Sequence, residues 1–315
     1  MTAPLPSVLL APLSVVAVRG PDARRFLNGQ LSRDVLRLGA DRVELAGLHN
    51  PQGRTLALVR LVPLGDTDVG LVLPGELAGE VAAALGRFVL RAKLTITDES
   101  AGWRLLGAWP GRADDGALPG LPEPGPQVGS AAADGPRHAW RHSTDGRIIM
   151  LVPAITHPAT GTADPARGLA AWAAADVAAG LPQVYAATTG AFVAQMLNLD
   201  VLGGISFDKG CYTGQEVIAR AHYRGKVKRR LQRFATRGQA PDGLVPGSAW
   251  STADARTLRI VDVAARADGS AEFLAVAPLR TAAGAEADSQ PVDDAAGHAA
   301  TIACDDLPLP YPLPG

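Results

Sequence analysis

The chain has 315 residues and a formal net charge of -1, and 47% of its residues are hydrophobic while 19% are charged. This composition excludes an intrinsically disordered chain, and the near-zero charge provides no overall field that would hold a nucleic acid or an anionic membrane. The two cysteines, Cys211 and Cys304, are too few for a disulfide framework or an all-cysteine metal site. We therefore expect a reduced, cytoplasmic protein without a bound metal, a membrane span or a signal peptide.

The N-terminal part of the chain alternates strand and helix patterns. Residues 14–18 are typical of a strand, and 20–39 carry apolar residues at the spacing of one helix between two glycines. A turn at 50–53 and β-rich runs follow, then a second helix after Pro74, and then a strand over 92–99. The apolar stripe of the second helix consists of Leu77, Val81, Leu85 and Phe88.

The middle of the chain contains one segment with almost nothing to bury. Residues 111–136 are rich in Gly, Pro, Ala and Asp, which predicts an exposed, flexible insertion. A strand is predicted over 147–153 and a helix over 164–180, with Asp164 as its N-terminal cap.

The C-terminal part changes character and indicates a separate unit. From residue 228, short β-like runs alternate with turn residues, a pattern that predicts a small antiparallel barrel. A chain of this length is long for a single core. We expect an α+β protein with two intertwined modules over 1–227 and the barrel over 228–315.

One cysteine lies in a distinctive stretch, KGCYTGQE at 209–216. Cations and helix N-termini favour the thiolate form of cysteine, and a helix is predicted to begin just after Cys211. Lys209 and this helix start are therefore expected to make Cys211 reactive. The alternative is a buried and inert cysteine, which is the commoner role of the residue. No histidine has a spacing from Cys211 that would indicate a Cys/His hydrolase.

A short basic run follows the cysteine segment and has two interpretations. One interpretation is a binding surface for phosphates, a glutamate tail or RNA. The other is a solvated strand without a ligand. The run consists of Lys226, Lys228, Arg229, Arg230 and Arg233.

These residues resemble a known family. KGCYTGQE, preceded by LGGISF and followed by ARAHYRG, resembles the signature of the YgfZ family of folate-binding proteins, relatives of the aminomethyltransferase (T-protein) of the glycine cleavage system. The segments DARRFLNGQLSRDV at 22–35, NPQGRTLA at 50–57 and AAGLPQVYAATTGAFVAQMLNLD at 178–200 extend the resemblance over most of the chain.

The resemblance implies an aminomethyltransferase-like folate-binding fold, with modules arranged around a central cavity that holds tetrahydrofolate or a one-carbon derivative. It also implies an assembly factor that supports iron–sulfur enzymes, including the radical tRNA methylthiotransferase, without direct nucleic acid binding. We expect a monomer.

The resemblance assigns the site residues as well. Cys211 and Lys209 are predicted to carry the chemistry. Gln195 replaces the carboxylate that grips the pterin ring in the related T-proteins, and an amide still offers a donor and an acceptor. The predicted cofactor-binding residues are Gln195, Asn198, Tyr212, Gln215, Glu216, Asn28 and Arg220.

Two alternative functions stay open at this point. A true folate-dependent aminomethyltransferase would need a carboxylate at the reactive nitrogen of the folate, and Asp34 and Asp200 are the candidates. A non-enzymatic RNA-binding or scaffolding protein would use the basic run between Lys226 and Arg233.

Overall fold

The structure is a computed structural model, and it describes residues 7–109, 123–155, 164–225, 227–280 and 300–314. Its strands are, in chain order, β1 (Val8–Leu9), β2 (Leu13–Arg19), β3 (Glu44–His49), β4 (Thr55–Pro63), β5 (Val69–Pro74), β6 (Thr95–Asp98), β7 (Trp103–Ala108), β8 (Ala131–Asp134), β9 (Arg137–Arg141), β10 (Ile148–Pro153), β11 (Arg229–Thr236), β12 (Ala249–Ser251), β13 (Thr257–Ala265), β14 (Ala271–Pro278), β15 (Ala300–Thr301) and β16 (Cys304–Leu307). The α-helices are α1 (Ala23–Asn28), α2 (Gly75–Gly86), α3 (Pro165–Ala178) and α4 (Gln215–Tyr223). Short 3₁₀ turns cover Val35–Arg37, Ser100–Gly102, Ala186–Thr188 and Ala194–Leu197.

The N-terminal sheet is antiparallel with the strand order β3-β4-β5-β2-β6. Helix α2 covers one of its faces because Leu77, Val81 and Leu85 recur at helical spacing and are buried. The core beneath α2 continues into the segment before α4 and into the C-terminal sheet, where Leu231 and Leu274 belong to the same buried cluster. This shared core fixes the signature segment against two sheets.

The second sheet is antiparallel with the order β1-β7-β10-β9-β8. Helix α3 begins as predicted, because Asp164 accepts a hydrogen bond from the backbone of Arg167 and Pro165 occupies the first turn. Trp172 of α3 packs with Trp140 of β9 in a buried cluster that also includes residues of the N-terminal sheet.

The C-terminal sheet has the order β15-β12-β13-β14-β11-β16, and β12 and β15 run parallel while the other pairs are antiparallel. Phe234 and Phe273 stack at 5.4 Å between ring centroids in its own core. The prediction that the C-terminal strands form a mainly antiparallel unit is confirmed. The boundary between 227 and 228 stays a prediction.

Two predictions for the N-terminal half are wrong in extent. The helix expected over 20–39 is limited to Ala23–Asn28, because Leu31 bridges to Leu48 of β3 and the backbone of Ser32 donates to Gly47. Sheet pairing therefore overrides the helical spacing of the apolar residues. Phe88 lies beyond the end of α2 and is 55% exposed.

The insertion expected over 111–136 is also shorter than predicted. Residues 110–122 lie outside the described residues. Ala131–Asp134 form the edge strand β8, which pairs with β9 across a turn where Gly135 adopts a φ of 56°. Among the described helices, none has the length and apolar character needed to cross a bilayer.

Candidate functional site

The signature segment places its thiol on the surface at the start of α4. Cys211 is exposed, whereas the neighbouring Tyr212 is buried in the main core. The Gln215 side chain accepts a hydrogen bond from the Tyr212 backbone at 3.2 Å, and its amide nitrogen lies 3.4 Å from the Cys211 sulfur. Tyr212 and Gln215 therefore hold the thiol in a defined position while leaving it accessible.

Lys209 fixes this segment to the end of α1. Its ammonium donates to the carbonyl oxygens of Asn28 and Leu31 at 2.7 Å and of Arg33 at 2.8 Å. These contacts use the three N–H donors of the side chain. Burial lowers the pKa of Lys209 to about 8. The geometry gives Lys209 a positioning role, and its part in the chemistry of Cys211 stays a prediction.

The other predicted residues near α4 divide between the interior and the surface. The Asn28 side chain accepts a hydrogen bond from the Val35 backbone at 3.0 Å, which joins α1 to the following 3₁₀ turn. Glu216 and Arg220 lie on the exposed side of α4. His222 stacks on Phe207 with 3.8 Å between ring centroids, so its ring is engaged with an aromatic neighbour.

The side chains of Gln195 and Asn198 are buried. Gln195 is 1% exposed and donates to the carbonyl oxygen of Ile218 in α4 at 2.7 Å. Its Oε1 atom has no hydrogen-bond partner among the described residues. Asn198 adopts a left-handed φ of 57° and donates to the carbonyl oxygen of Leu231 at 3.0 Å. These two amides connect the 194–198 segment to α4 and to β11.

The candidate carboxylates of the transferase alternative both have partners. Asp200 receives two hydrogen bonds from Arg230, at 2.9 Å and 2.8 Å. Asp34 accepts from the Leu36 backbone at 3.1 Å and pairs with Arg37 at 3.3 Å. Each carboxylate thus has a structural role where it lies.

The basic run is only partly available to a ligand. Arg230 is 3% exposed and paired with Asp200, and Arg233 forms an ion pair with Glu272. Lys226 lies outside the described residues. Among the described residues, no group of three or more His, Cys, Asp and Glu side chains converges as a metal site.

The sequence did not indicate His49, which lies near the signature segment. His49 is 2% exposed, its ring centroid lies 6.4 Å from that of Tyr212, and neither ring nitrogen has a partner among the described residues. Burial lowers the pKa of His49 to about 3. In the sequence, His49 lies beside glycine and apolar residues at the end of β3, and this pattern did not predict that its side chain is buried.

Comparisons with known proteins establish the fold and the family. No protein-family model matches the chain. The crystal structure of the glycine cleavage system aminomethyltransferase T from Bartonella henselae superposes with a TM-score of 0.64, at 16% identity, covering 88% of this chain and 79% of that one. The chain therefore has the mixed fold of this aminomethyltransferase.

Sequence relatives identify the family within that fold. The tRNA-modifying protein YgfZ of Serratia proteamaculans (strain 568) is 31% identical over 327 residues, covering 98% of this chain and 93% of the relative. The protein of the same name from Edwardsiella ictaluri (strain 93-146) is 34% identical over 235 residues, covering 71% of this chain and 69% of the relative. The chain belongs to the YgfZ family.

Proposed function

We propose that this protein is a folate-binding accessory factor that supports the assembly or maintenance of iron–sulfur enzymes, including a tRNA methylthiotransferase. Membership of the YgfZ family and the aminomethyltransferase fold support the proposal, since the curated relatives are named tRNA-modifying proteins. In this role Cys211 is the reactive group, and the protein acts as an assembly factor rather than by turning over a substrate of its own.

The observation that carries the proposal is an exposed thiol whose neighbouring residues are held by hydrogen bonds. Cys211 is exposed, while the Lys209 ammonium, two residues before it, donates to three backbone carbonyls and Gln215 accepts from the backbone of Tyr212, the residue after it. A thiol that only filled the core would be buried like Tyr212. A partner enzyme can therefore reach the sulfur without unfolding the segment.

The residues near α4 also offer one feature that fits a folate. The Oε1 atom of Gln195 is a buried acceptor without a partner among the described residues, while its amide nitrogen is bonded to Ile218. Buried polar atoms are normally hydrogen-bonded, so this oxygen suits an N–H of a pterin ring. When bound, tetrahydrofolate supplies a carrier for a one-carbon unit. The residues that would hold it are Gln195, Tyr212 and Gln215.

Calorimetric titration of the purified protein with tetrahydrofolate tests the cofactor assignment. Saturable binding is expected, and a complete absence of binding heat with folded protein would refute this part of the proposal. The accessory role is tested in cells that lack the endogenous protein, by measuring iron–sulfur enzyme activities with Cys211→Ala. Cys304→Ala is the matched control, because it removes the other, half-buried thiol.

The proposal extends to organisation and location. We propose a monomeric, cytoplasmic protein with a folate-binding region over 1–227 and a C-terminal unit over 228–315. The end of α4 at Tyr223 and the start of β11 at Arg229 support a boundary between these residues.

A further inference from the structure

Three aromatic rings form a cluster on the surface at the C-terminal end of α4. Phe207 precedes the signature segment, whereas His222 and Tyr223 are the last two residues of the helix. The His222 ring stacks on Phe207 with 3.8 Å between centroids and 16° between planes. Tyr223 meets both rings at steep angles, 80° to His222 and 71° to Phe207. We call these three residues the α4 ring cluster.

The arrangement of the three rings leaves one face of His222 uncovered by the other two. The centroid separations are 3.8 Å for Phe207–His222, 4.8 Å for His222–Tyr223 and 6.1 Å for Phe207–Tyr223, which are those of a triangle with its right angle at His222. Tyr223 therefore stands beside the His222 ring and not over the face that points away from Phe207. His222 is exposed, so a flat heterocycle can stack on this face with its edge against Tyr223.

Packing within the protein accounts for Phe207 but not for Tyr223. Phe207 is half-buried and packs against the main core, so His222 shields an apolar ring that belongs to the core. Tyr223 is 68% exposed, and its hydroxyl has no partner among the described residues. Tyrosine is enriched at binding surfaces because its ring is large and carries a polar tip. The α4 ring cluster therefore exposes aromatic surface that a ligand would cover.

Two arginines give the surface beside the cluster a positive charge. Arg220 and Arg224 are exposed, and neither side chain pairs with another residue in the part of the chain that the structure describes. They lie one turn apart, since the Arg224 backbone donates to the carbonyl oxygen of Arg220 at 2.9 Å. Around the helix axis, Tyr223 lies between these arginines and His222. Cations at a helix C-terminus also offset the helix dipole, but that role does not require neighbouring rings.

The acidic residues nearby do not cancel this charge. Asp208, next to Phe207 in the sequence, pairs with Arg37 at 2.8 Å. Glu216 lies in the first turn of α4, one turn before Arg220, and forms no ion pair with that arginine. The C-terminal end of the helix is therefore complementary to an anion that carries flat rings.

Single-stranded nucleic acids have this chemistry, because their unpaired bases stack on aromatic side chains while arginines contact the phosphates. An acidic protein segment would satisfy the arginines but would leave the open face of His222 without a planar partner. We propose that an unpaired base of an RNA stacks on the α4 ring cluster and that Arg220 and Arg224 contact its phosphates.

The choice of RNA over DNA rests on the proposed function, whose client enzyme modifies tRNA. The contact itself goes beyond that function and differs from the family resemblance, which implies no direct nucleic acid binding. The nine residues of α4 place the cluster about 14 Å from the helix start that follows Cys211. Bound RNA and the thiol would thus lie at opposite ends of one helix.

Fluorescence anisotropy tests this inference with the full-length protein and a labelled oligoadenylate RNA of about 8 nucleotides. Saturable binding is expected. Tyr223→Leu and His222→Leu should each weaken it by about 5- to 100-fold, because a stacking contact is lost. Tyr223→Phe keeps the ring and should bind like the wild type. Phe88→Ala, at an exposed aromatic residue just beyond α2, is the matched control and should also bind like the wild type.

The dependence of affinity on salt tests the arginines separately. Each phosphate contact to a single strand contributes about 0.7 to the slope of log affinity against log salt. The double variant Arg220→Gln and Arg224→Gln should therefore lower this slope by about 1.4. Arg87→Gln, at an exposed arginine that ends α2, is the matched control and should leave the slope unchanged.

Three results would overturn the inference: no saturable binding at low salt, an affinity that is unchanged in both Tyr223→Leu and His222→Leu, or tighter binding to DNA of the same sequence. Tetrahydrofolate binding and the effect of Cys211→Ala are measured without this RNA, so the proposed function would stand if those readouts succeed. Their failure with RNA binding intact would overturn the proposed function and leave the RNA contact.

Discussion

Gly214, at the start of α4, lies directly against the backbone carbonyl of Asn50 in the β3–β4 turn. A Cβ atom at Gly214 would be 2.5 Å from that oxygen, and the residue has a φ of 81°. Gly53 of the same turn also approaches α4 closely, since a Cβ there would lie 2.9 Å from the Val217 side chain. Two segments far apart in the sequence are thus packed backbone to backbone, and this contact sets the position of Cys211.

Gly214→Ala should destabilise the protein, because the left-handed conformation and the close carbonyl both oppose a side chain. We expect a loss of about 1 to 3 kcal/mol in the free energy of unfolding. Urea denaturation measures it. Gly210→Ala is the matched control, since a Cβ there would meet no atom within 4 Å. Equal stability of the two variants would show that the turn yields to the added methyl group.

The two thiols should differ strongly in their reaction with a disulfide reagent. Cys211 is exposed, whereas burial raises the pKa of Cys304 from 9.0 to about 11. At neutral pH, Cys304 therefore carries about a hundredth of the thiolate of an ordinary cysteine. Stopped-flow labelling should show one fast thiol in the wild type and in Cys304→Ser, and none in Cys211→Ser. A fast phase that persists in Cys211→Ser would contradict the low reactivity expected for Cys304.

The sequence predicts those elements whose signals are local. Helix α3 begins with Asp164 and Pro165, and its final turn is followed by Gly180 with a φ of 65°. These residues act within one turn of the helix, so no tertiary information is needed. The prediction of a helix over 20–39 was wrong because the apolar residues have helical spacing while the backbone of this segment pairs with β3. Such pairing depends on residues that are distant in the sequence.

The candidate site could likewise be predicted only where its signal is local in the sequence. The KGCYTGQE motif identified Cys211 and its helix start, because the motif is contiguous. The partners of Lys209 could not be predicted, since the carbonyls of Asn28, Leu31 and Arg33 become close only in the folded chain.

Arg230→Met should be strongly destabilising, because it leaves Asp200 buried without its partner. Removing one partner of a buried ion pair costs about 3 to 5 kcal/mol. Arg230 also donates to the carbonyl oxygen of Gln195 at 3.2 Å, so the variant should disturb the 194–198 segment. Arg237→Met, which breaks the exposed pair with Asp305, is the control and should leave urea unfolding nearly unchanged. Equal effects of the two variants would contradict the burial of the Asp200 pair.

His49 should make the protein sensitive to acid. Its pKa is lowered by burial from 6.5 to about 3, so the unfolded chain binds a proton that the folded chain does not bind between these values. Stability therefore falls as the pH decreases from 6.5 towards 3, by about 1.4 kcal/mol per pH unit from this residue. His49→Leu should remove that part of the slope and, because both ring nitrogens lack partners among the described residues, should not destabilise the protein at pH 7. Urea denaturation at several pH values measures the slope, with His222→Leu at the exposed histidine of α4 as the matched control. An acid slope that is the same in His49→Leu and the wild type would show that His49 gains a proton in the folded state.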